Sequence, residues 1–304
     1  MAISRAQLVK ELEPGLNALF GLEYKRYENQ HAEIYTTESS DRAFEEEVML
    51  SGFANANVKV EGSGVAYDDA QETYTARYTH DTIALAFAIT EEAIEDNLYD
   101  RISSRYTKAL ARSMSNAKQV KAVTPLIDGL PSTDGFDSGD GVSLFNTAHT
   151  TVSGTNVKNT LTTQADLNET SLEQSLIDIA AMTDERGLRV AARAMKMIIP
   201  SANQFTAERL MKSQGRTGTA DNDINAVVSM GMVPQGYRVN NFLTDTDSWY
   251  LITDVPNGMK MFQRAALKTA MEGDFDTGNV RYKARERYSF GVSDFRGIFG
   301  VEGA

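Results

Sequence analysis

Between Glu91 and Thr124 the chain holds neither glycine nor proline, and that unbroken run constrains the fold more than any other stretch. Thr90 stands where an N-cap is wanted. Glu91, Glu92, Glu95 and Asp96 crowd the first turn, where negative charge meets the positive end of a helix dipole. Lys118 and Lys121 lie near the opposite end. Leu98, Ile102, Tyr106, Ala109, Ala117 and Val120 recur at helical spacing and predict one apolar stripe. At a rise of about 1.5 Å per residue, a helix over 91–123 spans roughly 50 Å, against roughly 30 Å for the diameter of a small domain. A rod of that length suits the strut of an assembling subunit better than the wall of a catalytic pocket.

Two patterned segments precede the rod. Residues 57–67 and 72–80 alternate around the polar tetrad 68–71, which predicts a hairpin with Asp68, Asp69 and Glu72 at its tip. Neither face is apolar enough to demand a core, so the hairpin is expected to project as an arm. Ile83, Leu85, Phe87 and Ile89 then alternate with Ala84, Ala86 and Ala88, predicting a short strand buried on both faces. Nearer the N-terminus, a helix is expected from Arg5 to about Leu12, broken at Pro14. The run 36–47 mixes hydroxyl residues with acids. It fits either an arm that orders on a partner or an ordinary surface strand with a loop.

Beyond Pro125, residues 128–164 are rich in Gly, Ser, Asp and Thr and predict long loops with a hairpin. Thr170 with Glu173 reads as a capping box, Leu172, Leu176, Ile179 and Ala180 as a helical stripe, and Gly187 as the C-terminal cap. Strands are expected at Ala194–Ile199, Tyr237–Phe242 and Trp249–Thr253, with a helix opening at Ser201, giving a mixed lobe over 126–255. The last segment, 261–301, is strand-rich. There Arg281, Lys283, Arg285 and Arg287 share one face, and Tyr282, Ala284, Glu286, Tyr288 and Phe290 the other. A second basic row, Arg101, Arg105, Lys108 and Arg112, lies along the rod. Either row is a solvated face or the receiver of an acidic arm from a neighbouring subunit, with Asp68, Asp69 and Glu72 as candidates and Arg281, Lys283, Arg285 and Arg287 opposite them.

Chemistry is sparse. With no cysteine among 304 residues, thiol catalysis and Cys-based metal sites are excluded. The three histidines, His31, His80 and His149, stand apart, so no zinc site is expected; His149 could serve as a base or could simply fix loop geometry. Asp134, Asp137 and Asp140 invite a calcium reading but miss the EF-hand spacing. The glycine pair Gly62 and Gly64 lacks the third glycine of a dinucleotide fingerprint. No cofactor is expected. No apolar run is long enough for a membrane span, and the start lacks the apolar core of a signal peptide, so the chain is expected to stay in the cytoplasm where it is made. The formal charge of −12 argues against a dedicated nucleic-acid binder; any such contact must be local.

The motifs GVSLFNTAH (141–149), Ser153-Gly154 and SLEQSLIDIAAMTDERG (171–187) resemble the Mu-like major head subunit branch of tailed-bacteriophage capsid proteins, whose fold is HK97-like. PGLNALFGLEY (14–24), Glu61-Gly62, ITEEAIEDNLYD (89–100) and DSWYLITD (247–254) extend the likeness to nearly the whole chain. The resemblance implies an α+β HK97-like fold: an N-terminal arm (1–50), an extended E-loop hairpin (51–82), a peripheral domain with a long spine helix (83–125 and 256–297), a mixed axial domain (126–255) and a C-terminal end (298–304). It implies hexamers and pentamers closing into an icosahedral shell around double-stranded DNA, in a virion assembled in the host cytoplasm. Portal and decoration proteins are implied partners. So is a separate scaffolding protein, because the arm begins soon after Met1, unless the chain is a mature form. No Lys–Asn crosslinking motif is recognisable. The alternatives are the shell of a nanocompartment of the same fold, or a hydrolase using His149.

Overall fold

The computed structural model describes residues 5–90, 92, 99–133, 135–215, 223–274 and 278–304. Helix α1 (Arg5–Arg26) leads to strands β1 (Thr36–Ser39), β2 (Phe44–Leu50), β3 (Glu72–Thr79) and β4 (Asp81–Ile89), then to the rod, α2 (Tyr99–Asp128). Next come β5 (His149–Thr150), β6 (Asn156–Val157), α3 (Glu169–Ala180), β7 (Ala194–Ile199), α4 (Gln204–Lys212), α5 (Ala226–Ser229), β8 (Tyr237–Val239) and β9 (Trp249–Thr253). The long strands β10 (Met259–Gly273) and β11 (Val280–Val292), then β12 (Ile298–Val301), close the chain. One sheet runs β1-β10-β11-β4 and another β12-β9-β7-β8; β2-β3 and β5-β6 form two-stranded ribbons.

Two hydrophobic clusters organise these elements. The larger surrounds β7 and β9, where Met197, Ile199, Trp249, Tyr250 and Leu251 are fully buried with Phe145, Ile298 and Phe299. The smaller joins Leu16 and Phe20 of α1 to Leu110, Ala111 and Met114 of α2 and to Tyr282 and Ala284 of β11. That packing explains why α1 does not stop at Pro14. A missing helical bond costs about 3 kcal/mol, whereas burying two large apolar side chains returns about 3–6 kcal/mol. The rod likewise runs past Pro125 to Asp128, because Ala122, Val123 and Leu126 enter the larger cluster.

The buried face of the rod differs from the expected stripe. Tyr106 and Val120 are about half exposed, while Ser103, Thr107, Leu110, Ala111, Met114, Ser115, Lys118 and Gln119 face inward. Small side chains let the helix lie close to the sheet, and Lys118 and Gln119 find partners on the buried side. Gln119 clasps His31, accepting from its backbone N–H at 2.9 Å and donating to Nδ1 at 3.0 Å. Lys118 Nζ lies 3.2 Å from Glu286 Oε2, and the Tyr24 hydroxyl donates to the same carboxylate. Burial raises the Glu286 pKa despite Lys118, and it lowers that of His31 to about 4. Leu98 and the expected first turn at 91 and 93–98 lie outside the described residues.

Three further expectations change, and one open alternative is decided. Strand β3 pairs with β2, not with 57–67, and residues 51–71 form no strand. Strand β4 is an edge strand, with Ala84, Leu85, Ala86 and Ala88 exposed. The run 36–47 resolves as strands: β1 adds to β10 in parallel and β2 begins at Phe44. Finally, α3 is capped by Asn168, in a reciprocal box with Ser171, and ends at Ala180. Gly187 (φ +84°) instead serves a turn in which Asp184 accepts the backbone N–H groups of Arg186 and Leu188.

Candidate assembly interface

The ribbon β2-β3 is anchored at one end and open at the other. At the anchored end, Tyr74, Ala76 and Tyr78 point inward from β3. A Cβ added at Gly291 would lie 2.6 Å from the Tyr78 ring, and one at Gly139 would lie 2.6 Å from Tyr74, so both rings sit in sockets only glycine provides. Tyr78 meets Phe262 edge-on at 4.8 Å between centroids, and its hydroxyl donates to Ser293 Oγ at 2.5 Å. Ser293 in turn donates to Glu47. Lys260 lies 2.5 Å from Glu47 and 3.1 Å from Glu38. Burial disfavours that ammonium, yet the two carboxylates hold its pKa above the ordinary lysine value. His80 bridges Ser40 and Ser289 at 2.9 and 3.0 Å.

Strand β2 is inside out. Its acids Glu45 and Glu47 turn inward to Ser40 and Lys260, while Phe44, Val48 and Leu50 turn outward and are exposed. In the loop that follows, Phe53, Val58, Val60, Val65 and Tyr67 are exposed too, Val58 at 94% and Tyr67 at 97%. So many large apolar side chains turned to solvent within one segment mark a contact site. The loop turns near Val60–Ser63, where the Ser63 N–H donates to the Val60 carbonyl.

The three acids expected at the tip lie at the root instead. Glu72 opens β3. Asp68 accepts the backbone N–H groups of Ala54 at 2.7 Å and Asp69 at 3.0 Å, and the Ala54 bond leads in holding its pKa below the usual carboxylate range. The Asp69 carbonyl accepts from the Arg186 guanidinium. Alternation predicted the root correctly but not the partner strand, so the tip was misplaced.

The expected basic face of β11 is present. Arg281, Lys283 and Arg285 are exposed and Arg287 is half-buried, while Tyr282, Ala284, Glu286 and Tyr288 are buried beneath α1 and α2. Arg281 already pairs with Asp274. Cross-strand register sets Ala88, Ala86, Ala84 and Thr82 of β4 beside the row, and Lys268 of β10 opposite Arg285. The sheet therefore offers a flat face of cations bordered by a strip of small side chains.

His149 is fully buried, stacked on Phe295 at 3.8 Å between centroids. Its Nδ1 lies 2.6 Å from Asp140 and its Nε2 3.1 Å from Asn159 Oδ1. Asn159 also donates to the carbonyls of Leu144 and Phe295, so the ring pins the 141–149 loop to β12's approach. Burial opposes ionisation of Asp140, but the His149 hydrogen bond and charge bring its pKa below the usual range. Neither ring nitrogen is available to a substrate without breaking a buried bond. Of the calcium trio, Asp140 is spent on His149 and the backbone of Asp137 bridges to Ser143, while Asp134 lies outside the described residues. Among the described residues no group of three metal-ligating side chains gathers, and no helix is long and apolar enough to cross a membrane. Nearby, Arg296 is buried against Glu185 at 2.7 Å and Asp294 at 3.2 Å, a network the sequence pattern did not signal because Glu185 lies 111 residues from Arg296.

The fold recurs in assembled shells. The virus-like particle from Pyrococcus furiosus is 9% identical over 94% of this chain and 98% of that one, with a TM-score of 0.52. The capsid of an empty GTA particle is 15% identical over 90% and 89%, with a TM-score of 0.54. The procapsid of bacteriophage JBD30 is 14% identical over 99% and 77%, with a TM-score of 0.53. At these identities the likeness establishes the fold, which is HK97-like. No curated protein matches the sequence. A family profile described as phage capsid protein matches residues 72–301, and neither finding singles out the Mu-like branch. That match runs from the first residue of β3 to the last of β12, and on that breadth the chain belongs to the phage capsid protein family.

Proposed function

We propose that this chain is the major head subunit of a tailed bacteriophage, forming hexamers and pentamers that close an icosahedral shell around double-stranded DNA. One observation carries the reading: the inside-out ribbon β2-β3 and its loop turn large apolar side chains to solvent, from Val48 and Leu50 through Phe53, Val58, Val60, Val65 and Tyr67. The division is an arm over 1–50, a loop over 51–82, a peripheral domain over 83–125 and 256–297, an axial domain over 126–255 and an end over 298–304. Portal, scaffolding and decoration proteins complete the assembly. The role is structural, with many weak contacts repeated by symmetry giving avidity in place of tight pairs.

The loop of one subunit lies on the open sheet face of its neighbour, where Lys283, Arg285 and Arg287 meet acidic groups. The exposed Asp69 and Glu72 are candidates at the loop root, with Asp68 already held within its own chain. The test is charge reversal: Arg285→Glu with Arg287→Glu should leave the circular dichroism of the subunit unchanged and abolish particles in negative-stain micrographs. Normal particles would refute the pairing. The likeness to a virus-like particle supports a second reading, a shell of the same fold that encloses no genome. Nuclease-protected DNA in purified particles separates the two.

A further inference from the structure

The chain carries a formal charge of −12, yet residues 101–127 contain Arg101, Arg105, Lys108, Arg112, Lys118 and Lys121 and no acid at all. Two of these cations have internal partners: Lys118 pairs with Glu286 and Lys121 with Asp81. Arg105, Lys108 and Arg112 have none among the described residues. All three are exposed, on the side of α2 turned away from the sheet. Around them the helix exposes Tyr106, Ala109, Ser113 and Asn116.

The peripheral lobe is thus a layer of helix on sheet with cations on both outer surfaces, Arg105, Lys108 and Arg112 on one and Lys283 and Arg285 on the other, and the two surfaces differ in chemistry. On the sheet, the row borders exposed alanines, whose small side chains let another backbone approach closely. That suits a protein segment. On the helix, the row borders a hydroxyl and a carboxamide, both able to donate to phosphate oxygens, and stands proud on a convex rod. From Arg105 to Arg112 the rise is roughly 10 Å, about the length of duplex axis that carries three phosphates of one strand at 3.4 Å of axial rise each.

We infer that Arg105, Lys108 and Arg112 form a phosphate-contacting stripe, and that the helix side of the lobe faces the packaged duplex while the sheet side receives a sister subunit. This rests on the shell reading above and names the surface of its nucleic-acid contact. The contact is sequence-independent, weak per subunit, and repeated with every copy. The surrounding negative charge limits adhesion to this stripe.

The test uses unassembled full-length subunits, which expose both surfaces, and a fluorescein-labelled 20-base-pair duplex followed by anisotropy between 50 and 200 mM NaCl. Three neutralised phosphates at a slope of about 0.9 each predict a loss of roughly 40-fold in affinity across that range. Arg105→Gln/Lys108→Gln/Arg112→Gln should remove most of the salt-dependent binding, and Lys283→Gln/Arg285→Gln/Arg287→Gln should leave it within twofold. Loss in the sheet variant alone, equal loss in both, or no salt-dependent binding by the parent chain would each overturn the assignment. Particle formation is scored separately by negative stain, where the helix variant should still assemble. Absence of particles from the parent chain would count against the shell reading, whereas the duplex comparison bears on the stripe alone.

Discussion

The two ends of the β2-β3 ribbon are neighbours in sequence and opposites in physics. At the root, two tyrosines fill glycine sockets, Lys260 is shared by two carboxylates and His80 is bridged by two serines. In the loop, residues 51–71 have no strand partner, and large apolar side chains face solvent. The same chain builds a rigid mount and leaves what it mounts unfinished. The difference teaches where stability is intramolecular and where it is deferred to assembly: mutations at the root should unfold the subunit, and mutations in the loop should spare the subunit and spoil the shell.

The sharpest way to break that contrast is to remove the loop. Replacing residues 54–68 with a short Gly-Ser turn should abolish particles while leaving the melting temperature of the subunit within a few degrees, read by calorimetry and microscopy. A collapse of subunit stability would mean the loop supports its own body.

The buried anchors come next. Lys118→Met leaves Glu286 and its desolvated charge without its cation, which should cost about 3–5 kcal/mol in urea unfolding. Adding Glu286→Gln should recover much of that loss. If the double variant is as unstable as the single one, Lys118 matters for packing and not for charge.

At the root itself, Gly291→Ala drives a methyl into the Tyr78 ring and should cost about 1–3 kcal/mol. Gly64→Ala in the loop, with open space around its Cβ, should cost well under 1 kcal/mol. Similar losses at both sites would erase the distinction.

The last contrast is acid sensitivity. The His31 pKa is lowered to about 4 in the fold, so the unfolded chain binds the extra proton between about pH 6.5 and 4. Stability from this group is full above the unfolded value and declines as pH falls through that window, by up to roughly 3 kcal/mol. Glu286, with its pKa raised, works in the opposite direction in acid. Only the difference between the parent chain and His31→Asn isolates the histidine: the parent should lose more stability from pH 6.5 to 4, and parallel curves would refute the clasp.

Legibility followed the source of each constraint. Strands β7 and β9 and the two faces of β11 were readable because alternation along one strand is a local property, and the shell architecture was readable from motifs spread along the chain. The partner of β3 was not. Residues 57–67 alternate as well as a strand should, but Phe44–Leu50 takes the place because Glu47 meets Lys260 more than 200 residues away. The same long-range packing carries α1 past Pro14 and α2 past Pro125, and it turns Ser, Thr and Lys of the rod inward where periodicity favoured Tyr106 and Val120. In the candidate interface, the basic row was visible as a pattern. The apolar row of β2 was not, since FEEEVML reads as a polar arm until its acids are seen to point inward.

The central claim is that residues 51–71 find their stabilising contacts on sister copies. Amide hydrogen exchange of that segment, compared in free subunits and in assembled particles, tests it most directly. Near-unprotected exchange in the free subunit, slowed at least tenfold on assembly while β3 and β11 stay protected in both, is the result expected. Strong protection of the loop in the isolated subunit, or equal exchange in both states, would contradict it.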